Sequence, residues 1–393
     1  MSDNADIWLW LVMVMKPNNP RLYKILADCG YNAAKAGVVI RDGREPSLTS
    51  GEISRAKAVR LGTVREFSSF CDKAGVKIVS YESENYPALL KKIKDPPAVL
   101  FVLGNERGLN GSPILTVVGT RNASDYGKKA VDYLVKPLAK AGTVIVSGMA
   151  SGTDRAAHIA CIEAGGRTLA FPGCGALETP PAESDDLKKL IIESGGAVIS
   201  ELLPDAKATT WYFKRRDAIM SGIAHGTLVI EAGEKSGSLV TADFAKKQGR
   251  ELFTVPPHDI TSESFSGNAF LIRAGAVSAC GASDIAEILK KKNIGAGFVE
   301  MLEKPDLPAK FEEKTAEIPA EKEVPAAKTP VNIPDNLSET EKAIVKALGE
   351  SPETTESLME KCGLDYGAAI EAVITLEMSG FIVRRNDGVY SLG

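Results

Sequence analysis

TVIVSGMASGTD, residues 143–154, is the stretch on which the fold turns. Val144, Ile145 and Val146 form a short run of β-branched residues, the pattern of a strand buried on both faces. Ser147, Gly148, Ser151, Gly152 and Thr153 then offer backbone N–H groups and hydroxyls, and a helix is expected over 154–164, beginning at Asp154. Small residues let an anion approach the backbone, and the start of a helix favours negative charge. A Gly/Ser loop after a strand is also an ordinary tight turn, so the rest of the chain has to decide.

Working outward, short continuous apolar runs recur at 114–118, 168–171, 197–199, 228–230 and 252–255, most of them separated by helical segments. That alternation predicts an α/β body: a Rossmann-like, doubly wound, mostly parallel sheet. Ligands of such sheets sit beyond the carboxyl ends of the strands. Those ends carry Arg121, the SGMASGTD loop, Gly173 to Gly175, Glu231 and His258. Arg121 can offer its planar fork to a phosphate or stack on a base; its plainer reading is a partner for Asp154. A second cluster, Phe213, Lys214, Arg215 and Arg216, opens a helix near the loop Ser236, Gly237, Ser238. Three consecutive cations are usually a solvated face, but beside that loop they are expected to flank an anion. His158, His225 and His258 are isolated from one another and read as structural.

The chain has no GxxxxGK[ST], and Gly173, Cys174, Gly175 lack the third glycine of a dinucleotide fingerprint, which argues against ATP and NAD sites and leaves no cofactor to expect. With 393 residues and 44% hydrophobic content the chain can bury a sizeable core and divide into two or three domains. A formal net charge of −4 means that any contact with nucleic acid must come from a local basic surface. Six scattered cysteines without a CxxC pair read as reduced core residues, and the apolar run 7–15 is too short for a membrane span and lacks a basic leader. A cytoplasmic protein without membrane contact is the expectation.

The flanks divide the chain. Residues 1–80 read as a small helical domain, with Trp8 and Trp10 in its core and Gly30 ending a helix. A proline-rich strap over 86–100 leads into the body, which extends over 81–290. Residues 291–336 are rich in Lys, Glu, Ala and Pro and read as a mobile tether. In 337–393, Ser338 to Glu341 form a capping box, further helices begin near Thr355 and Tyr366, and a hairpin is expected to turn at Asp387 and Gly388: a winged helix. Its five basic residues stand against ten acidic ones, so a protein contact is expected of it rather than duplex DNA.

Taken together, YPALLKKIKDPPAVLFVLG, VVGTRNASDYG, VIVSGMASGTDRAAHIACIEAGGRTLAFPGCG, SGIAHGTLVIEAGEKSGSLVTADFA and GRELFTVP resemble the DNA-processing protein A family, DprA or Smf, over about half the chain. The resemblance implies a SAM-like helical domain ahead of a Rossmann-like body, binding of single-stranded DNA, a homodimer, and loading of the recombinase RecA during natural transformation. It implies no catalysis. The residues it implies for DNA are Arg121, the SGMASGTD loop, Glu231 and Ser236 to Ser238. Where the family has Arg-Asn-Arg after Phe-Pro, this chain has Arg216, Asp217 and Ala218 after Phe213 and Lys214. Its Tyr-Pro and Asn stand here as Pro180, Pro181 and Ser184, and its Gly-Cys-Asn as Gly267, Asn268 and Ala269.

Two other classes of function compete. A nucleotide phosphoribohydrolase of the lonely-guy type binds a nucleoside monophosphate over PGGxGTxxE; the corresponding KSGSLVTAD lacks the double Gly and the Glu, leaving Asp243, with Glu231 nearby, as the acid. A small-molecule sensor with the winged helix as output is the other, and the acidic tail argues against it.

Overall fold

A nine-stranded sheet forms the body of the protein, and its order follows from how the apolar runs are connected. In the computed structural model, which describes residues 3–105, 110–179, 184–292, 337–384 and 389–392, five helices come first: α1 (Asp3–Met15), α2 (Pro20–Asp28), α3 (Ala33–Arg41), α4 (Ser50–Ala58) and α5 (Leu61–Lys73). The sheet region then runs β1 (Val76–Ser80), β2 (Val99–Gly104), β3 (Ile114–Val118), α6 (Asp125–Lys140), β4 (Val144–Ser147), α7 (Thr153–Glu163), β5 (Thr168–Ala170), α8 (Asp185–Glu193) and β6 (Ala197–Ser200). It continues through α9 (Tyr212–Ile223), β7 (Gly226–Val229), α10 (Ser238–Lys247), β8 (Glu251–Thr254), α11 (Ser266–Arg273), β9 (Val277–Ser278) and α12 (Ala282–Lys291).

The strand order is β1-β2-β6-β5-β4-β3-β7-β8-β9. From β6 to β9 every pairing is parallel, whereas β1 with β2 and β2 with β6 are antiparallel. The chain winds outward from β3 in one direction through β4, β5 and β6, then returns to the other side of β3 for β7, β8 and β9. This is the doubly wound, mostly parallel sheet that the apolar runs predict. Its direction of winding reverses between β3 and β7, which opens a crevice at their carboxyl ends.

Both faces of the parallel strands are covered, which is why the runs are continuous rather than alternating. Val144 and Val146 point into one core with Ile219, Met220 and Ile223 of α9; Ile145, between them, points into the opposite core with Val131, Leu134 and Leu138 of α6. Period-two alternation thus feeds two cores from one strand.

At the amino-terminal end the helices do not stop at a boundary. Trp8, Leu11, Leu22, Ile25 and Val64 share a core with Val76, Val99 and Phe101 of β1 and β2. The expectation of helix alone up to residue 80 is corrected by β1, which pairs with β2 residue for residue from Val76↔Leu103 to Ser80↔Val99. Lys77, exposed on this edge strand, interrupts the apolar run by which a strand would be read. Helix α4 is held by a capping box between Thr49 and Glu52, and Glu52 also pairs with Arg21 at 2.8 Å. These contacts hold the Glu52 carboxyl down at about 2 despite its burial. In the strap, Tyr86 is buried and its hydroxyl donates to the Pro97 carbonyl at 2.7 Å.

Clustering of contacts divides the chain into two compact units, Met1–Asp306 and Leu307–Gly393. The second contains α13 (Glu339–Leu348), α14 (Thr355–Cys362), α15 (Tyr366–Met378), β10 (Ile382–Arg384) and β11 (Tyr390–Leu392). Its core joins Ile344, Leu348, Leu358, Val373 and Leu376 to Ile382 and Tyr390, and the Ser338 capping box opens α13 as its sequence requires. Three helices and an antiparallel pair, β10 with β11, make the winged-helix arrangement. The hairpin turn expected at Asp387 and Gly388, and the tether, lie outside the described residues. Among the described residues no helix is long and apolar enough to cross a membrane.

Candidate nucleic-acid interface

A cleft of about 280 Å³ opens at the carboxyl ends of β3, β4 and β7, where the sheet reverses its winding. Its walls are the loop after β3, the loop leading into α7, one face of α9, and the first turn of α10. Lining it are Val118, Gly119, Thr120, Arg121, Ala150, Asp154, Phe213, Arg216, Asp217, Met220, Ser236, Gly237, Ser238 and Thr241.

Two loops are locked together to form the floor. The Thr153 N–H and hydroxyl both donate to the Thr120 carbonyl at 3.1 Å, and the Thr120 N–H donates to the Glu231 carbonyl at 2.8 Å. Gly152 sits at φ +71, and a Cβ there would stand 2.3 Å from the Arg121 carbonyl oxygen, so only glycine permits this crossing. The backbone of Arg121 is therefore fixed while its side chain remains exposed over the cleft. Ser147 is fully buried and donates to the Val117 carbonyl at 2.7 Å, which ties β4 to β3 below the floor.

Asp154 is buried beneath the cleft and accepts from the Ala150 N–H at 3.3 Å. Burial raises its carboxyl above the usual range, against the opposing pull of Arg216 and the backbone N–H groups of Ala150 and Gly148. Arg216 lies flat across Gly148: a Cβ at that position would come within 1.5 Å of Nη1. Arg216 is 7% exposed, and although its Nε stands 3.2 Å from Asp217 Oδ1, the angle is poor and that N–H makes no hydrogen bond. Phe213 presents its ring to both arginines, with the guanidinium carbons of Arg121 and Arg216 at 5.9 and 5.6 Å from its centroid. Ser236 and Ser238 share a hydroxyl contact of 2.7 Å at the start of α10.

Of the residues singled out from the sequence, Arg121, Asp154, Arg216, Ser236, Gly237 and Ser238 meet at this cleft. Ser147, Gly148 and Thr153 build its floor, Gly152 allows the loop crossing, and Ser151 is exposed outside the lining. Lys214 is exposed and also outside it. Arg215 points the other way, into a buried cluster with Glu201 and Tyr23. Glu231 anchors α6 from behind, accepting from the Ser124 N–H at 2.9 Å and hydroxyl at 2.8 Å. Asp243 is paired with Lys247 at 2.6 Å and does not line the cleft. His158 is fully buried and pushed down to about 3 by that burial. Among the described residues no group of three or more His, Cys, Asp and Glu could hold a metal.

Asp217, Met220 and Asn268 were not anticipated as site residues. Phe213, Asp217 and Met220 face the cleft together with Arg216, and the spacing i, i+3, i+4, i+7 that aligns them was available in the sequence. Asn268, fully buried, accepts from the Ala232 N–H at 2.8 Å and donates to the Ile230 and Val255 carbonyls at 3.0 Å, so it staples the ends of β7 and β8. Pro180 and Pro181 lie outside the described residues.

Known proteins are similar to this chain. The family model DNA recombination-mediator protein A matches residues 77–290, and that of the DprA winged helix domain matches residues 326–388. DNA processing protein DprA of Bacillus subtilis is 40% identical over 220 residues, covering 56% of this chain and 73% of its own. Protein Smf of Escherichia coli is 29% identical over 359 residues, 91% of each chain. The X-ray structure of DNA processing protein A from Streptococcus pneumoniae superposes with a TM-score of 0.64 at 28% identity, covering 73% of this chain and 98% of that one.

Proposed function

The chain belongs to the DNA recombination-mediator protein A family, a family of DNA-processing proteins, and from that premise we propose that it binds single-stranded DNA in the cleft between β3, β7 and α9. The observation that carries this reading is the pair of guanidiniums, Arg121 exposed and Arg216 with an unsatisfied Nε–H, set around the face of Phe213. Arginines supply phosphate with charge-assisted hydrogen bonds, and an aromatic ring offers a stacking surface to any base that is not already paired. A duplex keeps its bases stacked inside, so Phe213 would be useless to it. The serines and backbone N–H groups at the start of α10 extend the anion-binding surface along the cleft.

The finer role follows the family: protection of incoming DNA and loading of RecA in natural transformation and recombination, by a homodimer and without catalysis. The C-terminal unit, five basic residues against ten acidic, is assigned to contacts with protein.

Fluorescence anisotropy of a labelled oligothymidine, titrated at several salt concentrations with matched duplex as competitor, tests the central claim. The expected result is salt-sensitive binding that duplex fails to compete away. Equal competition by duplex would remove the base-stacking role of Phe213, and no binding would remove the cleft as a DNA site.

A further inference from the structure

Asp217 has no obvious place in a site for polyanions, and its surroundings give it one. The inference rests on the cleft being a phosphodiester site. The charged groups around Asp217 come from each wall: Arg121 from the loop after β3, Asp154 from α7, and Arg216 on its own helix. The first turn of α10 contributes only Ser236, Ser238 and Thr241, which do not ionise near neutrality. Lys235 and Glu234 are exposed just ahead of α10, and Glu231 is turned towards Ser124 behind the cleft.

Two cations thus face two acidic side chains across the cleft. The carboxylates differ in their supports. Asp154 is held by backbone N–H groups below the floor. Asp217, with its side chain 15% exposed, receives no hydrogen bond among the described residues; its ion pair there is with Arg216 Nε at 3.2 Å, off the hydrogen-bonding direction. A phosphodiester reaching for Arg216 must enter beside this bare carboxylate.

We propose that Asp217 takes up one proton when a phosphodiester enters the cleft, so that the cleft gains one unit of positive charge, equal to the single charge that its ligand brings. The group is already poised for it. Burial, with Asp154 adding to the same effect and both arginines opposing it, pushes the Asp217 carboxyl up to about 6. An entering phosphate adds a further like charge and raises it more. The direction of the linkage is then fixed: a group that gains affinity for its proton on binding strengthens binding at low pH, and that gain is lost as pH rises above the free-state value.

The test uses the full chain and its Asp217→Asn variant, with oligothymidine affinity measured by anisotropy from about pH 5.5 to 8.5 at constant ionic strength, a range in which phosphodiesters do not titrate. Wild-type affinity should fall by up to about tenfold per pH unit above pH 6, the limit for one coupled proton. Asp217→Asn, an isosteric change checked by thermal melting, should bind more tightly at about pH 8 and show a flat profile. Titration calorimetry at about pH 7 in buffers of different ionisation enthalpy should count close to one proton taken up by the wild type and none by the variant. Parallel pH profiles for the two proteins, or weaker binding by the variant at the alkaline end, would overturn the proton coupling while leaving the DNA site intact. No binding by either protein at any pH would overturn the cleft reading and this inference with it.

Discussion

Arg215 and Arg216 are neighbours on α9, yet they belong to different regions of the protein and obey different rules. Arg215 is 11% exposed in its side chain and held inside the fold: its Nε donates to Glu201 Oε2 at 2.8 Å, and its Nη2 reaches Glu201 Oε1 at 2.9 Å, the Asp95 carbonyl at 2.7 Å and the Tyr23 hydroxyl at 2.9 Å. Glu201 in turn accepts from Tyr23 of α2. Arg216, as deeply buried, keeps an Nε–H without a hydrogen bond and faces an open cleft. A buried charge bonded to a buried carboxylate, a carbonyl and a hydroxyl of the fold holds architecture together. One whose donors are left over is available to a ligand.

The largest expected effect lies on the architectural side. Arg215→Ala would leave Glu201, 3% exposed, as an uncompensated buried charge, and breaking such a pair costs about 3–5 kcal/mol. The cluster also ties α2 to α9, so the loss should be felt across the amino-terminal helices. Urea unfolding measures it, and the folded variant should bind oligothymidine nearly as wild type does. A stable variant with greatly reduced DNA affinity would break the comparison, because Arg215 would then be serving the ligand.

On the cleft side the expected effect is smaller and of another kind. Arg121→Ala removes an exposed side chain whose ring contact, with Phe213, lies in the cleft itself, so stability should change little. Affinity for single-stranded DNA should drop by about tenfold, and the slope of log affinity against log salt should shrink by about one, the signature of one lost phosphate contact. A drop in affinity with an unchanged slope would sharpen the comparison differently, by making Arg121 a stacking partner of a base or of Phe213 rather than a phosphate ligand.

The same pair shows how far the sequence could be read. Strands β3 to β8 were legible because both faces of the sheet are covered, which leaves continuous apolar runs such as ILTVV and TVIV. Strand β1 was not, since it is an edge strand whose exposed Lys77 breaks the run. At the site, the residue types were legible: a fork-shaped cation after a strand, and small residues before a helix. The fates of Lys214, Arg215 and Arg216 were not. Consecutive helical residues differ by about 100° in direction, so three cations in a row must point three ways, and only the packing of α9 says which way the cleft lies. Nor could the requirement for glycine at 148 be read locally, because the side chain that excludes a Cβ there is Arg216, 68 positions away in the sequence and brought over it by the fold.

The smallest expected effect concerns the C-terminal unit. Removing 337–393 deletes five basic and ten acidic residues, a change of +5 in formal charge from the difference of the two counts. If the unit were a DNA reader, affinity would fall. If its only influence were electrostatic, removing negative charge would strengthen binding slightly at low salt and not at all at high salt, because exposed charges more than about 10 Å away are screened at about 0.1 M. The sequence of α15, with Glu371 and Glu377 and no cation, offers a duplex nothing to meet its phosphates. Oligothymidine affinity of the truncated chain should therefore lie within about twofold of wild type at physiological salt, since neither arginine of the cleft is touched. A loss of tenfold or more would move part of the DNA site into the winged helix, and the division between an architectural and a ligand-facing arginine on α9 would then describe only half of the interface.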